Sequence, residues 1–449
     1  MANEGNNACG SDRIGKGSVG RRTFIGTAGA GAVTTAFAGC LGGVDGGGSD
    51  DGTFKIGHLA PTGMAMGRGS KRSAEIAVNE LEENDGMQGQ EIELIDENTE
   101  LTVSTTKPIV ERMVNKDNVD LIVGTFSSEV TQGIIDTVAD ANVPFIITGS
   151  ADSSTLLDTV KQDYERYKNV FRTGPINSEL QAEAIADYAE FLNELHGWTD
   201  FAHLPEKAAW TKPFRDLLPG YLEDRGLNVV YDESPSVDTS NFTPFLDDIE
   251  SAGADAVIRF FATGGRGQLL KDWAGNYPFA LEGVHVASMS PQFWSQTNGG
   301  CIYETTSQSG GGGVAPLTDK TMDFVNKYEE EYADGKPPSK PMYMGFNTYD
   351  ALHFYDKATE EAGTTNYADN LQDIVDAMLS VEHTGAAAEI SLYGKDSDYP
   401  NDVKETRNDE DKVNYPITQW QPDGEGSGQH QVVYPEADAT NDHTKPSWM

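Results

Sequence analysis

The chain has 449 residues, about three times the ~150-residue prior for one domain, so two comparable lobes with additions are expected rather than one core. With 37% apolar and 9% aromatic residues it has the material for a folded interior, which excludes wholesale disorder and a multi-span membrane protein. Asp and Glu number 72 against 32 Lys and Arg, a net charge of −40, and nucleic acid is thereby excluded as a partner because phosphate binding needs clustered cations.

The acid is spread along the chain, with clusters at Glu80 to Asp85, Glu329 to Glu331 and Asp409 to Asp411. Dispersed acid belongs to a surface, and such a surface repels itself unless salt screens it. Adaptation to high salt is the expected reading, with an acidic protein of ordinary habitat as the alternative. Only Cys9, Cys40 and Cys301 occur, so neither a disulfide framework nor a cysteine metal site is expected.

Residues 1–22 are polar and carry Arg13, Lys16, Arg21 and Arg22, and 23–39 are uncharged and rich in Ala, Gly, Thr and Val. That is the layout of an export signal, and the second stretch is too short and too weakly apolar to span a bilayer. Gly20-Arg21-Arg22-Thr23-Phe24-Ile25 resembles the twin-arginine export motif without its usual preceding Ser. Phe37-Ala38-Gly39-Cys40 resembles a lipobox, which would lipidate Cys40 and make it the new N-terminus; an incidental buried thiol is the alternative. Residues 1–39 are therefore expected to be a twin-arginine lipoprotein signal peptide and 40–53, Gly- and Asp-rich, a tether.

From residue 54 the apolar pattern alternates between strands and helices. FKIGHLA (54–60) and EIELID (91–96) read as strands, with Ala74, Ala77, Val78 and Leu81 on one helical face between them. A helix over Ile109 to Val114, a strand at 119–124 (VDLIVG), a helix around Ile134 to Val138 and a strand at 143–148 (VPFIIT) follow. The series restarts with helices at 179–195, 214–225, 245–251 and 269–273 and strands at 201–204, 227–231, 256–261 and 284–287. Continuous apolar strands between helices predict parallel sheets covered on both faces, hence an α/β fold of two doubly wound lobes. Residues 317–380 read as helices, and 385–435 as a Gly-, Asp- and Pro-rich tail with short strands.

No HExxH, metal-spaced His and Cys, G-x-S-x-G elbow or Walker phosphate loop occurs, so no cofactor is expected. Gly63 to Gly69 and Gly264 to Gly267 are Gly-rich turns at strand ends or places where a ligand approaches the backbone. Asn241-Phe242-Thr243 fits a glycosylation acceptor, with Pro244 immediately after it. The chain reads as a binder.

Residues 54–156 resemble the start of the type I substrate-binding proteins of ABC importers, the branched-chain amino acid group. The similar features are a strand followed by Ala60-Pro61-Thr62-Gly63, Asn79-Glu80 before Gly86-Met87-Gln88-Gly89, Leu121-Ile122-Val123-Gly124 with Ser127-Ser128, and Asn142-Val143-Pro144-Phe145-Ile146. The likeness continues through Phe171-Arg172 to Trp420 and Tyr434-Pro435, and the leader is of haloarchaeal lipoprotein type. The resemblance implies a Venus-flytrap joined by a three-segment hinge, with 54–173 plus 315–395 as one lobe and 174–314 plus 396–449 as the other. It also implies a small-molecule ligand, ABC permease and ATPase subunits as partners, a monomer, and contact with the membrane through the N-terminal lipid only, on the extracellular face.

The same resemblance points to site residues. Ser127 or Ser128, after the third strand, would grip a ligand carboxylate, and Ser150, Ala151 and Asp152 would form the loop after the fourth. From the second lobe Trp210 would cover the ligand, with Phe261 and Ser288 at neighbouring strand ends. Residues 283–303 contain no Asp or Glu where amino-acid binders place the acid that holds an ammonium. Arg68 and Asp152 are the expected substitutes for a zwitterion; failing that, an amide, urea-like or aromatic compound is expected. A sensory lipoprotein and an enzyme with an unrecognised site are the alternatives to an importer's binding subunit.

Overall fold

The computed structural model describes residues 52–262, 266–404 and 415–449. Arg21, Arg22, Cys40, and Gly264 of the second Gly-rich turn lie outside them.

The first lobe begins with β1 (Thr53–Ala60), α1 (Ala65–Glu82), β2 (Glu91–Asn98), α2 (Val103–Arg112), β3 (Leu121–Gly124), α3 (Ser128–Ala141) and β4 (Phe145–Ile147), followed by the short α4 (Tyr164–Tyr167) and β5 (Val170–Arg172). Its five strands are parallel in the order β2-β1-β3-β4-β5. Ile56, Leu121, Ile122, Val123 and Ile146 are fully buried, as expected where helices cover both faces of a parallel sheet. β3 ends at Gly124 with φ +138°, where a Cβ would lie 2.2 Å from Leu59 O; only glycine lets β3 run so close to β1 just before the loop to α3.

The second lobe repeats the plan with α5 (Ser178–His196), β6 (Asp200–Pro205), α6 (Lys212–Asp224), β7 (Asn228–Asp232), α7 (Thr243–Ala252), β8 (Ala256–Phe261), α8 (Arg266–Trp273) and β9 (Ala280–His285). Its strands are parallel in the order β7-β6-β8-β9, so in both sheets the order reverses beside the first strand of the lobe. Alternation along β8 sends Phe260 to the face under α5 and α6 and Phe261 to the face under α7 and α8. After α9 (Phe293–Thr297), β10 (Thr305–Ser307) joins this lobe through the His285 N–H, which donates to Thr306 Oγ1 at 3.0 Å.

The chain returns to the first lobe for α10 (Thr321–Tyr332), α11 (Tyr343–Ala362), α12 (Tyr367–Ser380), β11 (His383–Thr384) and β12 (Glu389–Ile390), then ends in the second with β13 (Ile417–Pro422) and β14 (Gly428–Tyr434). The sheet β10-β13-β14 is antiparallel. Three crossovers therefore join the lobes. The second is the turn Ser309–Gly313, whose four glycines all have positive φ; a Cβ on Gly310 would lie 2.4 Å from the Phe346 ring.

Two expectations shift. The strand expected at 284–287 runs over Ala280–His285 and gives way to a 3₁₀ turn at Val286–Met289. The first lobe also keeps the chain beyond 395: Leu392 and Val403 pack in its core, and Asp402 pairs with Arg172 of β5. Apolar spacing in this Asp- and Pro-rich stretch is too sparse to mark the boundary.

Candidate functional site

Loops from the carboxyl ends of both sheets meet around a cavity of about 300 Å³. From the first lobe come Phe126, Ser127, Ser128, Glu129, Ala151 and Tyr343; from the second come Gln181, Lys207, Trp210, Val284, Val286 and Met289. The crossovers contribute Pro175, Ile176, Gln308 and Ser309, so the cavity lies against the hinge.

The polar end is built on α3. Ser127 caps the helix, accepting from Val130 N–H at 3.4 Å, and its hydroxyl donates to Glu129 Oε2 at 2.8 Å. Ser128 Oγ receives the Ser150 hydroxyl at 3.1 Å and the Asp152 N–H at 3.3 Å, leaving its own proton for another acceptor. The first N–H groups of a helix have no intrahelical acceptor, so the Ser128 hydroxyl and these N–H groups together suit an anion. Lys207 is exposed at the rim, and among the described residues no carboxylate lies within ion-pair distance of it. Glu129 Oε1 accepts from Ala209 N–H at 3.2 Å, a hydrogen bond from one lobe to the other at the edge of the cavity.

The apolar wall is mostly aromatic. Trp210 presents its edge to Phe214 and Phe260, centroids 5.7 and 6.4 Å away, and its Nε1 donates to Glu206 Oε1 at 3.3 Å. Phe126 and Tyr343 lie 6.4 Å apart, and the Tyr343 hydroxyl donates to Gly149 O at 2.8 Å, tying α11 to the loop after β4. That loop is fixed from below by the fully buried Arg172, whose Nη1 donates to the carbonyls of Ser150 and Asp152 at 3.1 and 3.2 Å. The same guanidinium pairs with Asp402, its Nε donating to Oδ1 at 2.9 Å, and Asp402 also receives Asn177 Nδ2 at 2.8 Å.

Of the residues expected from the sequence, Ser127, Ser128, Ala151 and Trp210 line the cavity together. Ser150 stands one step behind Ser128. Asp152 is buried in its own loop, where Gln132 Nε2 and the Ser154 hydroxyl, both at 2.5 Å, occupy its carboxylate. Arg68 turns to the carbonyls of Pro337 and Gly63 at 2.9 and 2.7 Å. Neither borders the cavity, so the Arg68 and Asp152 clamp for a zwitterion is not assembled. Phe261 faces the far side of β8, and Ser288 sits under β13 and β14, accepting from Trp420 Nε1 at 3.0 Å.

Acids do flank the acid-free stretch, yet both are spent internally. Glu282 receives the hydroxyls of Tyr188 and Thr305 at 2.8 and 2.6 Å. Burial raises the Glu304 pKa, but the His285 and Arg259 charges outweigh it and the net shift is downward. Tyr343 and Gln308 carry no sequence signal of their own, because they come from distant segments with no local motif, and Arg172 enters the sequence reading only through the family likeness, with no role at the site. A lone Arg closing the apolar run Val170-Phe171 was the one available signal.

The family model described as periplasmic binding protein matches residues 53–404. A curated relative named Leu/Ile/Val-binding protein homolog 7, from Brucella suis biovar 1, is 28% identical over 217 residues, 46% of this chain and 51% of that protein. The chain thus matches about half the length of that relative. A putative branched-chain amino acid ABC transporter structure from Silicibacter pomeroyi is 18% identical with a TM-score of 0.74, over 88% of this chain and 100% of that one. A solute-binding protein from R. palustris in complex with benzoate is 17% identical with a TM-score of 0.67, over 87% and 98%. At these identities the structures establish a shared fold. The chain belongs to the periplasmic binding protein family.

Proposed function

We propose that this chain is the solute-binding subunit of an ABC importer and that its solute is a small organic carboxylate with an apolar, ring-sized body. One observation carries the reading: the cavity joins hydroxyls and a helix N-terminus at one end to the Phe126, Trp210 and Tyr343 wall, while the second-lobe acids are engaged elsewhere. The Ser128 hydroxyl and the helix N–H groups grip a carboxylate, and the one acid lining the cavity, Glu129, already accepts from Ser127 and from Ala209. The benzoate bound to the R. palustris protein supports this class. A branched-chain amino acid is the second reading, favoured by the name of the Brucella relative.

Mass spectrometry of small molecules released by denaturing the protein from its native host tests the solute class. An aromatic or other apolar acid is the expected result; a sugar or a peptide would defeat the reading, and a branched-chain amino acid would select the second.

The protein would be exported through Arg21 and Arg22, lipidated at Cys40, and held on the outer face of the membrane by residues 40–53, acting there as a monomer in concentrated salt. Among the described residues no helix is long and apolar enough to cross a membrane. Cys40→Ser is expected to release exported protein into the medium; fractionation that still finds it all in the membrane would remove the lipid anchor.

A further inference from the structure

The described lining of the cavity holds two charged side chains, Glu129 and Lys207, one from each lobe. They share a corner, because Glu129 Oε1 accepts from the N–H of Ala209, two residues beyond Lys207, at 3.2 Å. No ion pair joins the two. Glu129 takes neutral donors instead, with the Ser127 hydroxyl on its other oxygen at 2.8 Å, and so keeps its charge at the cavity wall. Glu206, the residue before Lys207, turns inward to Trp210 Nε1 and Ala262 N–H at 3.3 and 3.0 Å. Among the described residues the exposed Lys207 ammonium is left without a hydrogen-bond or ion-pair partner, in a chain with 72 acidic and 32 basic residues. Its backbone is held: Lys207 N–H donates to Pro235 O at 2.9 Å, and the carbonyl of Ala208 receives the Thr211 hydroxyl and Arg215 Nη1, both at 3.0 Å. A fixed base with a free ammonium on a flexible stem can bring that charge to a ligand without moving the loop.

An anion entering this cavity meets the charge of Glu129, against which the Ser128 hydroxyl and the N–H groups of α3 bring only partial charges. A full positive charge is needed to favour an acid there, and Lys207 is the one cation among the described lining residues. We propose that Lys207 is a specificity-determining residue whose ammonium pairs with the ligand carboxylate from the second lobe, while Ser128 and α3 hold it from the first. The pair makes the cavity prefer an acid to its neutral amide. This rests on the carboxylate reading above and assigns the charge selectivity of that site to one side chain.

Calorimetry of the purified full chain with benzoate, phenylacetate, their two amides and L-leucine tests it. The titrations are run in about 1 M KCl, where the Debye length is about 3 Å and steering by distant surface charge is screened out. At least one acid is expected to bind the wild type about 10- to 100-fold more tightly than its amide. In Lys207→Met, which keeps an unbranched apolar stem, affinity for the acid should fall by about that factor while affinity for the amide stays within about 3-fold. Lys207→Arg should recover most of the preference for the acid. A preference that persists in Lys207→Met would overturn the role of Lys207 and leave the carboxylate reading standing. Equal weakening of acid and amide in that variant would overturn it too, because packing and not charge would then have been lost. Equal binding of acid and amide by the wild type, tightest binding of L-leucine, or binding of none of these compounds would defeat the carboxylate reading and the proposal together.

Discussion

Trp210 and the serines at α3 divide the recognition between the lobes, one giving apolar surface and the other a grip on charge. Burying an indole face against a ligand is worth roughly 1 to 3 kcal/mol, so Trp210→Ala should weaken binding of the identified acid about 10- to 100-fold, mainly through faster release. The ring is half-buried and packs by its edge on Phe214 and Phe260, so far-ultraviolet circular dichroism should change little. Unchanged affinity by calorimetry would place the ligand away from this wall. A second group of residues has the look of chemistry without its use. Asp96, His58 and Ser70 are joined at 2.7 and 2.8 Å in the order of a nucleophile relay, but Ser70 is fully buried and its hydroxyl also meets Thr348 at 2.7 Å. Such a relay, sealed from the cavity, ties β1 and β2 to α1 and α11.

Buried histidines set the pH dependence of folding. Burial lowers the pKa of His430 and His196 to about 4 and that of His383 to about 3, from 6.5. Below pH 6.5 the unfolded chain takes up protons that the folded chain refuses, so stability should fall as the pH drops from about 6.5 towards 4. Asp350 acts in the opposite sense, since burial raises its pKa to about 6 and the folded chain binds its proton first between 6 and 3.8. Three depressed histidines outnumber it. Glu80 contributes lower still: burial raises its pKa, but His353, Tyr349 and Lys327 bring it down to about 2, so its share is lost between about 4.5 and 2. Melting temperature should therefore decline through the upper window, and His430→Gln, which retains a donor for Ser288 O, should flatten that decline. An equal slope in the variant would show that His430 is not a source of it.

Among the elements, β5 and the segment around Asp402 do more for the site than their length suggests. The Arg172 and Asp402 pair is fully buried and joins the loop after β4 to the first crossover and to the last part of the first lobe. Removing one partner leaves an uncompensated buried charge, at a cost of about 3 to 5 kcal/mol. Denaturant titration of Asp402→Leu should show a loss of that order, together with weaker ligand binding as the carbonyls of Ser150 and Asp152 lose their anchor; a loss below about 1 kcal/mol would mean the guanidinium finds another partner.

The same elements show what sequence patterns carry. β3 and β4 are continuous apolar runs closed by turns, β1 and β8 are apolar runs interrupted by Lys55, His58 and Arg259, and α5 and α6 have regular faces, so their type and order could be read directly. β5 has three residues and β9 stops where the 3₁₀ turn begins, too short or too gradual for a periodic signal. At the site, Ser127, Ser128 and Trp210 follow strand ends and were legible through the family resemblance. Gln308 and Tyr343 reach the cavity only because the chain crosses between lobes, and no local spacing encodes that. Asp152 and Arg68 show the converse: the right residue types near the cavity, each turned away from it by other partners.

For the whole molecule the decisive quantity is charge. With 72 acidic and 32 basic residues, even complete pairing would leave most of the acids without a cation, and pairs such as Arg112 with Glu97 are part-exposed and contribute about 0 to 1 kcal/mol each. Salt acts on both terms, weakening these pairs and screening the repulsion among the remaining acids. The second effect should win, because the unpaired acids are far more numerous and their repulsion extends over the surface, while a Debye length of about 3 Å at 1 M against about 10 Å at 0.1 M removes most of it. The lobes face each other across the cavity, so the repulsion opposes both folding and their approach. Moving the protein from about 2 M to about 0.1 M salt should lower the melting temperature and, at the low end, reduce the circular dichroism signal of both sheets and helices. Glycine betaine or another neutral osmolyte should not replace salt, since it strengthens burial without screening charge. An unchanged melting temperature across the salt range would show that the acidic surface tolerates its own field and that high salt is not part of this protein's design.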